Sequence, residues 1–469
     1  PDTWDGPAGT GPLPGLAASL VVLQGLALIL VAPLLAGPGT PGPAPIVLFV
    51  SLQVAAGAVY LLAVRLVATG RRPPPRTALL LGTGLVLRAI ALPSSPVLED
   101  DFNRYLWDGA VTASGLSPYA FPPSAVLDGS VAVPRSLLVE SLDSGGVLGR
   151  VNHSTLTTIY PPVPQAAFLL AHRLQPFSLP ALRGVLLLFD LASALLLVLL
   201  LKELALPPAL VLVYWWNPLF VRETLNAAHM DILLVPFLLA AFLLRLRGRT
   251  FGAAVFLALA TGVKLWPVLL APVLLVPGLK PSRKSAAAAT LYAALTATLL
   301  FPMAVHATGP SAGVIAYAGG WAMNGAFFPV LSALLAPLLG PAGVRVALAA
   351  AFAGIAFVLA RTASSSPVAL VRRASVVPAA LLLLGPTAFP WYFAWLLPFL
   401  TLAPGVLLVL TATLPLYDLS FAFEYAGHAA LFDRLVVPLQ WLPVWTALAW
   451  IALQRLRRRA LSSNGTVES

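Results

Sequence analysis

The chain has 469 residues, of which 59% are hydrophobic and only 10% are charged, and its mean hydropathy is +0.91. Soluble domains carry about 25% charged residues, so this composition excludes a soluble protein and predicts a polytopic protein embedded in a lipid bilayer. The net charge of +11 does not indicate nucleic-acid binding, because the basic residues lie mainly in short loops between apolar stretches. The absence of cysteine excludes disulfides and thiolate metal sites.

Apolar runs long enough to cross a hydrocarbon layer of ~30 Å recur along the chain. Counting them predicts an all-α membrane protein with about 12–14 transmembrane helices. The clearest runs are 16–35, 46–67, 77–92, 182–201, 210–221, 232–246, 286–305, 344–360 and 435–453. Two further apolar stretches, 163–174 and 327–339, are too short or badly placed to span, and we expect them to lie on the outer membrane face.

Basic residues in short loops favour the cytoplasmic side of a membrane. The clusters around Arg72, Arg247, Lys284 and Arg372 therefore predict inner loops, and the arginines at 455–459 predict an inner C-terminus. We expect both termini inside and a cell inner or plasma membrane location. The resulting division is N-terminal transmembrane helices at 1–92, an outer loop at 93–160, a transmembrane bundle at 161–457 and a cytoplasmic tail at 458–469.

One segment between two inner loops is too short for two full crossings. Only about 27 residues separate the loops near Arg249 and Lys280, whereas each crossing needs about 20. We therefore predict two half-spans near 251–276 that meet at Lys264 and Pro267. Unwound backbone at membrane depth is tolerated only inside protein or beside a water-filled cavity, so Lys264 is expected to line a cavity. The alternative is one long kinked helix whose lysine reaches the surface.

The long polar stretch at 93–160 contains three adjacent carboxylates, Glu99, Asp100 and Asp101. Adjacent carboxylates repel one another and raise at least one pKa, which is typical of a general base or a cation site. A solvated loop start is the alternative. Arg104 lies three to four residues on, so a short helix would bring it beside Asp100 or Asp101. Apolar residues between these charges indicate that the segment packs against the rest of the protein.

Further polar and aromatic residues are expected on the same outer face. His229 and Asp231 could bind a metal, but two ligands do not make a site, so a hydrogen-bonded loop is favoured and no metal is predicted. The aromatic residues suit sugar rings, although an interfacial aromatic belt explains Trp and Tyr equally well. The residues predicted to bind substrate are Tyr105, Trp107, Asp108, Tyr160, Glu223, Asn226, His229, Asp231, Trp321, Asn324, Trp391 and Tyr392.

Two ionisable residues, Arg88 and Asp190, fall inside predicted spans. Charges in such positions are costly and are usually paired or functional. We expect a structural ion pair between them. The alternative is that Arg88 helps to bind an anion.

The order of these motifs resembles that of the GT-C glycosyltransferases, polytopic enzymes that use polyprenyl-phosphate sugars as donors. Their first outer loop is similar to the run Asp100-Asp101…Arg104-Tyr105…Trp107-Asp108-Gly109, which is followed by Ser117-Pro118-Tyr119. The likeness is greatest to the bacterial polyprenyl-phosphate-mannose-dependent α-mannosyltransferases. It implies a GT-C fold with short amphipathic helices in the first outer loop.

A weaker likeness is to the catalytic subunit of GPI mannosyltransferase I. It rests on Tyr160-Pro161-Pro162, on the helix end Asn217-Pro218 and on Lys264-Leu265-Trp266-Pro267. The matching motifs recur in order from about residue 88 to about residue 395. Each of these motifs is short, so their order carries the resemblance.

The resemblance implies that an acidic residue of the first outer loop is the catalytic base. Asp100 matches the first Asp of the relatives' Asp-x-Asp motif, but Phe102 takes the place of the second and Asp101 is adjacent. This departure leaves the choice of base between Asp100 and Asp101 open, with Asp100 preferred. It also weakens the case for a metal that bridges two carboxylates.

The predicted function is transfer of a sugar, with mannose as first choice, from a polyprenyl-phosphate donor to a glycolipid or glycan acceptor at the periplasmic or outer face. The resemblance implies inversion at the anomeric carbon, and no cofactor is expected. The leaving phosphate gains negative charge that nearby cations would stabilise. The candidates for this role, in order, are Lys264, Arg104, Arg222 and Arg88.

The rival prediction is a polytopic transporter or flippase for lipid or sugar. Such a protein would share the broken helices and the intramembrane charges. It should also show internal repeats and charged residues near the membrane midplane, whereas this chain concentrates acidic residues in one predicted outer loop. A non-catalytic membrane scaffold is a third reading.

Overall fold

A computed structural model describes residues 11–36, 41–69, 75–309, 311–362 and 366–464. These residues form helices and no named strand, with one isolated bridge between Met323 and Thr387. Eight of the helices are long and apolar enough to cross a membrane. The expectation of a helical, multi-pass membrane protein is therefore confirmed at this level. The predicted inner-loop residues Arg71 and Arg72, and the end of the tail from residue 465, lie outside the described residues.

The helices follow one another with short connections. The first half of the chain contains α1 (Leu13–Leu35), α2 (Pro43–Ala68), α3 (Thr77–Ala91), α4 (Asp101–Ala113), α5 (Pro123–Leu127), α6 (Arg135–Asp143), α7 (Pro162–Leu174), α8 (Leu179–Glu203), α9 (Leu212–Trp215), α10 (Pro218–Asn226) and α11 (Met230–Leu246). The second half contains α12 (Thr250–Thr261), α13 (Trp266–Leu275), α14 (Arg283–Ala304), α15 (Gly313–Gly320), α16 (Phe328–Arg361), α17 (Pro367–Leu384), α18 (Phe393–Leu402), α19 (Val406–Tyr425) and α20 (Ala429–Arg458).

The number of long spans is smaller than predicted. The eight candidates are α1, α2, α8, α14, α16, α17, α19 and α20, and the pair α10–α11, bent by 102°, makes nine if it is one span. Three more apolar helices, α3, α12 and α13, are shorter than a full crossing. The predicted 12–14 crossings exceed the long helices because several apolar runs are divided by Pro and Gly, which end or bend helices.

The last span continues into the expected cytoplasmic tail. Its final helical segment runs from Val437 to Asn464, so the first part of the predicted tail at 458–469 is helical. The stretch predicted at 327–339 is the first part of α16, which kinks at Gly340 (φ 69°) just before Pro341. That kink separates it from the predicted span at 344–360.

The helical break predicted at Lys264 is present. Helix α12 ends at Thr261 and a 3₁₀ turn begins at Trp266, so the backbone between them is not helical. The carbonyl of Gly262 accepts a hydrogen bond of 3.1 Å from the backbone N–H of Val163 at the start of α7. The unwound backbone is thus satisfied inside the protein, as a low-dielectric environment requires. That the two halves enter and leave a membrane from the same side stays a prediction.

The two predicted intramembrane charges form a buried ion pair. Arg88 Nε lies 2.6 Å from Asp190 Oδ2, and Arg88 Nη2 donates to Oδ1 at 3.0 Å. Arg88 Nη1 donates to the carbonyls of Gly84 and Trp215, and Tyr214 donates to Asp190 at 2.8 Å. The expected structural pairing is confirmed. The alternative role of Arg88 in binding a phosphate is not supported, because protein groups already surround the guanidinium.

Helix α3 reaches this position only because residue 84 is glycine. A Cβ added to Gly84 would lie 2.0 Å from Trp215 Nε1. The Arg88 guanidinium in turn lies 3.4 Å from the centroid of the Trp215 ring. Gly82, in the same helix, faces open space, with nothing within 4 Å of an added Cβ.

We expect Gly84→Ala to lower the stability of the protein, since the new methyl group must displace Trp215 from Arg88. Overpacking of this kind costs about 1–3 kcal/mol. Gly82→Ala is the matched control and should be neutral or slightly stabilising, because alanine is the better helix former by about 0.5–1 kcal/mol. Thermal unfolding of the two variants in detergent compares them directly. Equal unfolding temperatures would contradict this packing.

Candidate active site

Helix α4 is held in place by close packing against α7. A Cβ added to Gly109 would lie 2.5 Å from the backbone oxygen of Phe168, so the two helices touch at this glycine. One turn earlier, the ring of Tyr105 stacks on the ring of Phe168 with centroids 4.7 Å apart. This contact fixes the rotation of α4 and directs the first residue of the helix, Asp101, into a pocket.

The pocket is a small cleft with a cavity volume of about 50 Å³, and it is partly open to solvent. Nine of its lining residues were predicted from the sequence: Asp101, Arg104, Tyr105, Tyr160, Asp231, Lys264, Trp321, Trp391 and Tyr392. The lining residues run from Asp101 to Tyr392, so segments far apart in the chain meet here.

Asp101 is the most highly connected side chain of the pocket. Its Oδ1 accepts a 2.7 Å hydrogen bond from Asn152 Nδ2, and its Oδ2 accepts from the hydroxyls of Tyr160 at 3.2 Å and Tyr105 at 3.4 Å. Burial raises the pKa of both tyrosines well above its usual range. The neighbouring Tyr160 hydroxyl adds to this for Tyr105, and the Asp101 charge adds to it for Tyr160. Both hydroxyls therefore keep their protons and hold the carboxylate in one orientation.

Asp100 lies beside the pocket and outside its lining. Its Oδ1 accepts from the same Asn152 amide at 2.9 Å, but Asp100 is more exposed to solvent than Asp101. Of the two carboxylates, only Asp101 lines the pocket, and the preference for Asp100 as the base stays a prediction that this position does not favour. Lost hydration and the charge of Asp101 raise the pKa of Asp100 and of Glu99, the direction expected for three adjacent carboxylates.

Two of the four predicted phosphate-binding cations line the pocket. Lys264 Nζ lies 3.3 Å from Asp231 Oδ1 and 5.0 Å from the centroid of the Tyr392 ring, with 18% of its side chain exposed. Arg104 Nη2 donates to the backbone carbonyls of Asn152 and His153, both at 3.0 Å. The prediction that Arg104 contacts Asp100 or Asp101 is wrong. The side-chain amide of Asn152 contacts these two carboxylates instead.

The other two predicted cations are enclosed elsewhere. Arg88 is paired with Asp190. Arg222 contacts Glu223 and donates to Asp418 at 3.1 Å, with 2% of its side chain exposed. Neither guanidinium lines the pocket, so both predictions of direct phosphate contact need correction.

Four predicted substrate-binding residues have structural positions instead. Trp107 and Asp108 lie on the buried side of α4, where Asp108 accepts from Gln165 Nε2 at 3.0 Å and burial raises its pKa. Asn226 donates to Ser94 Oγ at 2.7 Å and ties down the turn before the acidic run. Asn324 donates to the Ala388 carbonyl at 2.9 Å. These four residues pack or form hydrogen bonds inside the protein and do not line the pocket.

Glu223 and His229 lie directly behind the pocket. The ring of His229 stacks on Trp391, a lining residue, with centroids 3.9 Å apart and an angle of 16°. His229 Nδ1 is 3.8 Å from Asp101 Oδ2, and Nε2 is 3.4 Å from Glu223 Oε2. These two predicted residues therefore reach the site through a neighbour and do not line it.

The aromatic residues form one wall of the pocket. The rings of Phe389 and Trp391 are stacked at 4.5 Å, and the hydroxyls of Tyr317 and Tyr392 are 2.5 Å apart. Trp321 contacts the ring of His153 at 4.6 Å. Aromatic faces with hydroxyls at their edge can pack on the apolar face of a sugar ring while bonding to its hydroxyls.

Seven lining residues were missed: Asn152, His153, Leu156, Thr157, Ile159, Tyr317 and Phe389. Asn152 and His153 lie late in the same polar segment as the carboxylates, and that position was the available signal. Tyr317 and Phe389 stand in apolar surroundings that give no such signal. The described residues contain no group of three or more His, Asp or Glu that could hold a metal ion, and the prediction of no metal stays a prediction.

Comparison of the chain with protein-family models, with curated proteins and with solved structures gives no significant match. Family and activity therefore have to be argued from the pocket itself.

We expect Asn152→Ala to destabilise the protein at neutral pH by about 1.5–3 kcal/mol, the range for a lost hydrogen bond to a charged group. The amide lowers the pKa of Asp100, against burial and the Asp101 charge that raise it. Without the amide the pKa of Asp100 rises further. A raised carboxyl pKa lowers the free energy of unfolding only at pH values where the carboxyl group is ionised. The difference in unfolding free energy between Asn152→Ala and wild type should therefore shrink as the pH falls toward about 4.

The matched control is Asn103→Ala, whose amide donates to the neutral backbone carbonyl of Asp100 at 3.2 Å. Its effect should not change with pH in the same window. Unfolding temperatures of both variants in detergent between neutral and acid pH provide the comparison. An Asn152→Ala deficit that is constant with pH would refute the electrostatic role of this amide.

Proposed function

We propose that the protein is a membrane glycosyltransferase of the GT-C type that transfers a sugar, with mannose as first choice, from a polyprenyl-phosphate donor to a glycolipid or glycan acceptor. The observation that carries the proposal is one pocket that combines an oriented carboxylate, Asp101, with the cations Lys264 and Arg104 and a wall of aromatic rings. A base, an anion-binding group and a sugar platform are the parts that this reaction needs.

The chemistry assigned to the pocket is a direct displacement. Asp101 takes the proton of an acceptor hydroxyl, whose oxygen bonds to the anomeric carbon of the donor sugar as the bond from that carbon to the phosphate oxygen breaks. Proton removal by a positioned carboxylate contributes roughly 10²–10⁴ in rate. The polyprenyl phosphate leaves with increased negative charge, which Lys264 and Arg104 would stabilise electrostatically.

The arrangement of the motifs supports the GT-C type. The acidic run at 100–105, the Tyr160-Pro161 turn and the Lys264 break are far apart in the sequence, yet each supplies a lining residue of the same pocket. The Lys264 break also opens the helix beside Tyr392 and Trp395. A lysine at such a break, with aromatic rings beside it, is suited to bind the anionic headgroup of a lipid. The tail of that lipid would stay among the apolar helices.

A transporter remains the second candidate because of one buried cluster. Arg222, Glu223 and Asp418 lie within candidate spans and are all buried. Intramembrane ionisable groups of this kind also mark ion pathways. The transferase is favoured because the open pocket combines a base and cations with a wall of aromatic rings. A transporter does not need this combination to pass its substrate.

Purified protein in liposomes with polyprenyl-phosphate-mannose and a crude lipid acceptor tests the reaction. We expect Asp101→Asn to lower sugar transfer by about 10²-fold or more, since the amide cannot take up the proton. Asp100→Asn, the adjacent control, should lower it far less. Loss confined to Asp100→Asn would assign the base to that residue. A folded wild type that transfers no lipid-linked sugar but moves lipid across the bilayer would overturn the transferase.

The outward orientation of the pocket can be tested because the chain contains no cysteine. Single substitutions Ser144→Cys, in the predicted outer loop, and Lys280→Cys, in a predicted inner loop, are both at exposed positions. In intact cells an impermeant maleimide should label Ser144→Cys and leave Lys280→Cys unlabelled until the membrane is opened. The reverse labelling pattern would place the pocket on the cytoplasmic side.

A further inference from the structure

A line of buried ionisable groups leads away from the pocket, and the reaction scheme above does not use it. The line begins at Asp101, which faces the pocket, and continues through His229 to Glu223. Beyond Glu223 it reaches Arg222 and then Asp418, an ion pair of 3.0 Å. The side chains of His229, Glu223, Arg222 and Asp418 are each at most 3% exposed.

The imidazole of His229 lies between two carboxylates. Nδ1 is 3.8 Å from Asp101 Oδ2, on the pocket side, and Nε2 is 3.4 Å from Glu223 Oε2, on the far side. The ring is clamped against Trp391 by stacking at 3.9 Å. Its backbone N–H donates to the Glu223 carbonyl at 3.0 Å, which fixes the residue in the break between α10 and α11.

The facing atoms have no other partner in the described part of the chain. Both ring nitrogens of His229 and Glu223 Oε2 are buried and make no hydrogen bond there. Buried polar atoms are almost always hydrogen-bonded, directly or through a water. The two carboxylate oxygens are thus the groups that face the two ring nitrogens, Asp101 Oδ2 at 3.8 Å and Glu223 Oε2 at 3.4 Å.

We propose that His229 carries the acceptor's proton from Asp101 to Glu223 and so returns Asp101 to its basic form. This step rests on the proposed transferase function. Neutral His229 has its proton on Nε2. Protonated Asp101 gives its proton to Nδ1, and Nε2 gives its own proton to Glu223 Oε2. One proton moves from Asp101 to Glu223 with no net change in charge, and the imidazole changes tautomer. When the product has left, the reverse transfer releases this proton through Asp101 to solvent in the open pocket and returns the imidazole proton to Nε2.

The groups beyond His229 suit a proton acceptor. Glu223, Asp418 and the neighbouring Glu99 contribute three carboxyl groups, whereas Arg222 is the cation that contacts Glu223 and Asp418. Glu99 Oε1 and Glu223 Oε2 are both buried without a hydrogen bond in the described structure, and one guanidinium, that of Arg222, serves both Glu223 and Asp418. An uncompensated buried carboxylate is costly, so an added proton on Glu223 relieves the excess negative charge.

His229 acts through Asp101 and is a positioning residue in this scheme, so its test separates proton transfer from simple support. We expect His229→Gln, which keeps a polar side chain but cannot relay, to lower kcat by about 10²-fold with KM and unfolding temperature close to wild type. Glu223→Gln should lower kcat in the same way. His172→Gln, which changes a histidine outside the pocket lining, is the control and should keep wild-type kcat.

Chemical rescue gives a sharper reading. His229→Gly leaves a ring-sized space, and added imidazole should restore kcat because it accepts a proton at one nitrogen and releases one at the other. Thiazole has a similar ring but no N–H to pass on, so it should fill the space without restoring kcat. Equal rescue by both compounds would mean that the ring serves only as a support and would overturn the relay.

The tautomer of His229 separates failure of the relay from failure of the transferase. Nitrogen NMR of the wild-type protein labelled at histidine should show the His229 proton on Nε2. A proton on Nδ1, or wild-type kcat in His229→Gln, overturns the relay while sugar transfer stands. Absence of sugar transfer in folded wild type, with the proton on Nε2, overturns the transferase, and the role of His229 in sugar transfer falls with it.

Discussion

The architecture depends on the cost of placing charge where water is excluded. Two buried arginines are each matched by a carboxylate from a distant segment, Arg88 by Asp190 and Arg222 by Asp418. Each pair therefore joins helices that are far apart in the chain. A helix that shifted would leave a charge without its partner, which costs several kcal/mol, so the pairs select one arrangement of otherwise similar apolar helices.

In the pocket, charges are only partly matched. Lys264 has Asp231 beside it but remains 18% exposed, and Asp101 has only neutral hydrogen-bond donors and remains 19% exposed. Both side chains are supported by protein groups while one face stays open to a substrate. Orientation without neutralisation is the condition under which a base and an anion-binding cation can act on a bound molecule.

Small residues make this geometry possible. Gly84 lets α3 approach Trp215, Gly109 lets α4 touch α7, and Gly262 lies against Val163 at the break beside Lys264. A methyl group at any of these positions would overlap a neighbouring atom. Close backbone approach without side-chain bulk is a recurrent way of packing helices in membranes, and here it brings the polar segment and the broken helix to one site.

The sequence by itself determined the protein class, the helical break and most of the pocket's chemistry. High hydropathy excludes a soluble fold, a short interval between basic loops requires a break near Lys264, and the polar segment with its carboxylates marks the site because such groups are costly in an apolar chain. Nine of the predicted residues, Asp101 and Lys264 among them, do line the pocket.

The tertiary structure decided how each polar group is used. Asp101 faces the pocket in place of Asp100 because α4 is rotated by its packing on α7, while Trp107, Asp108, Asn226 and Asn324 turn inward to satisfy other groups. Asn152 and Tyr317 join the site through contacts between segments distant in sequence, and such contacts leave no local pattern from which they could be predicted.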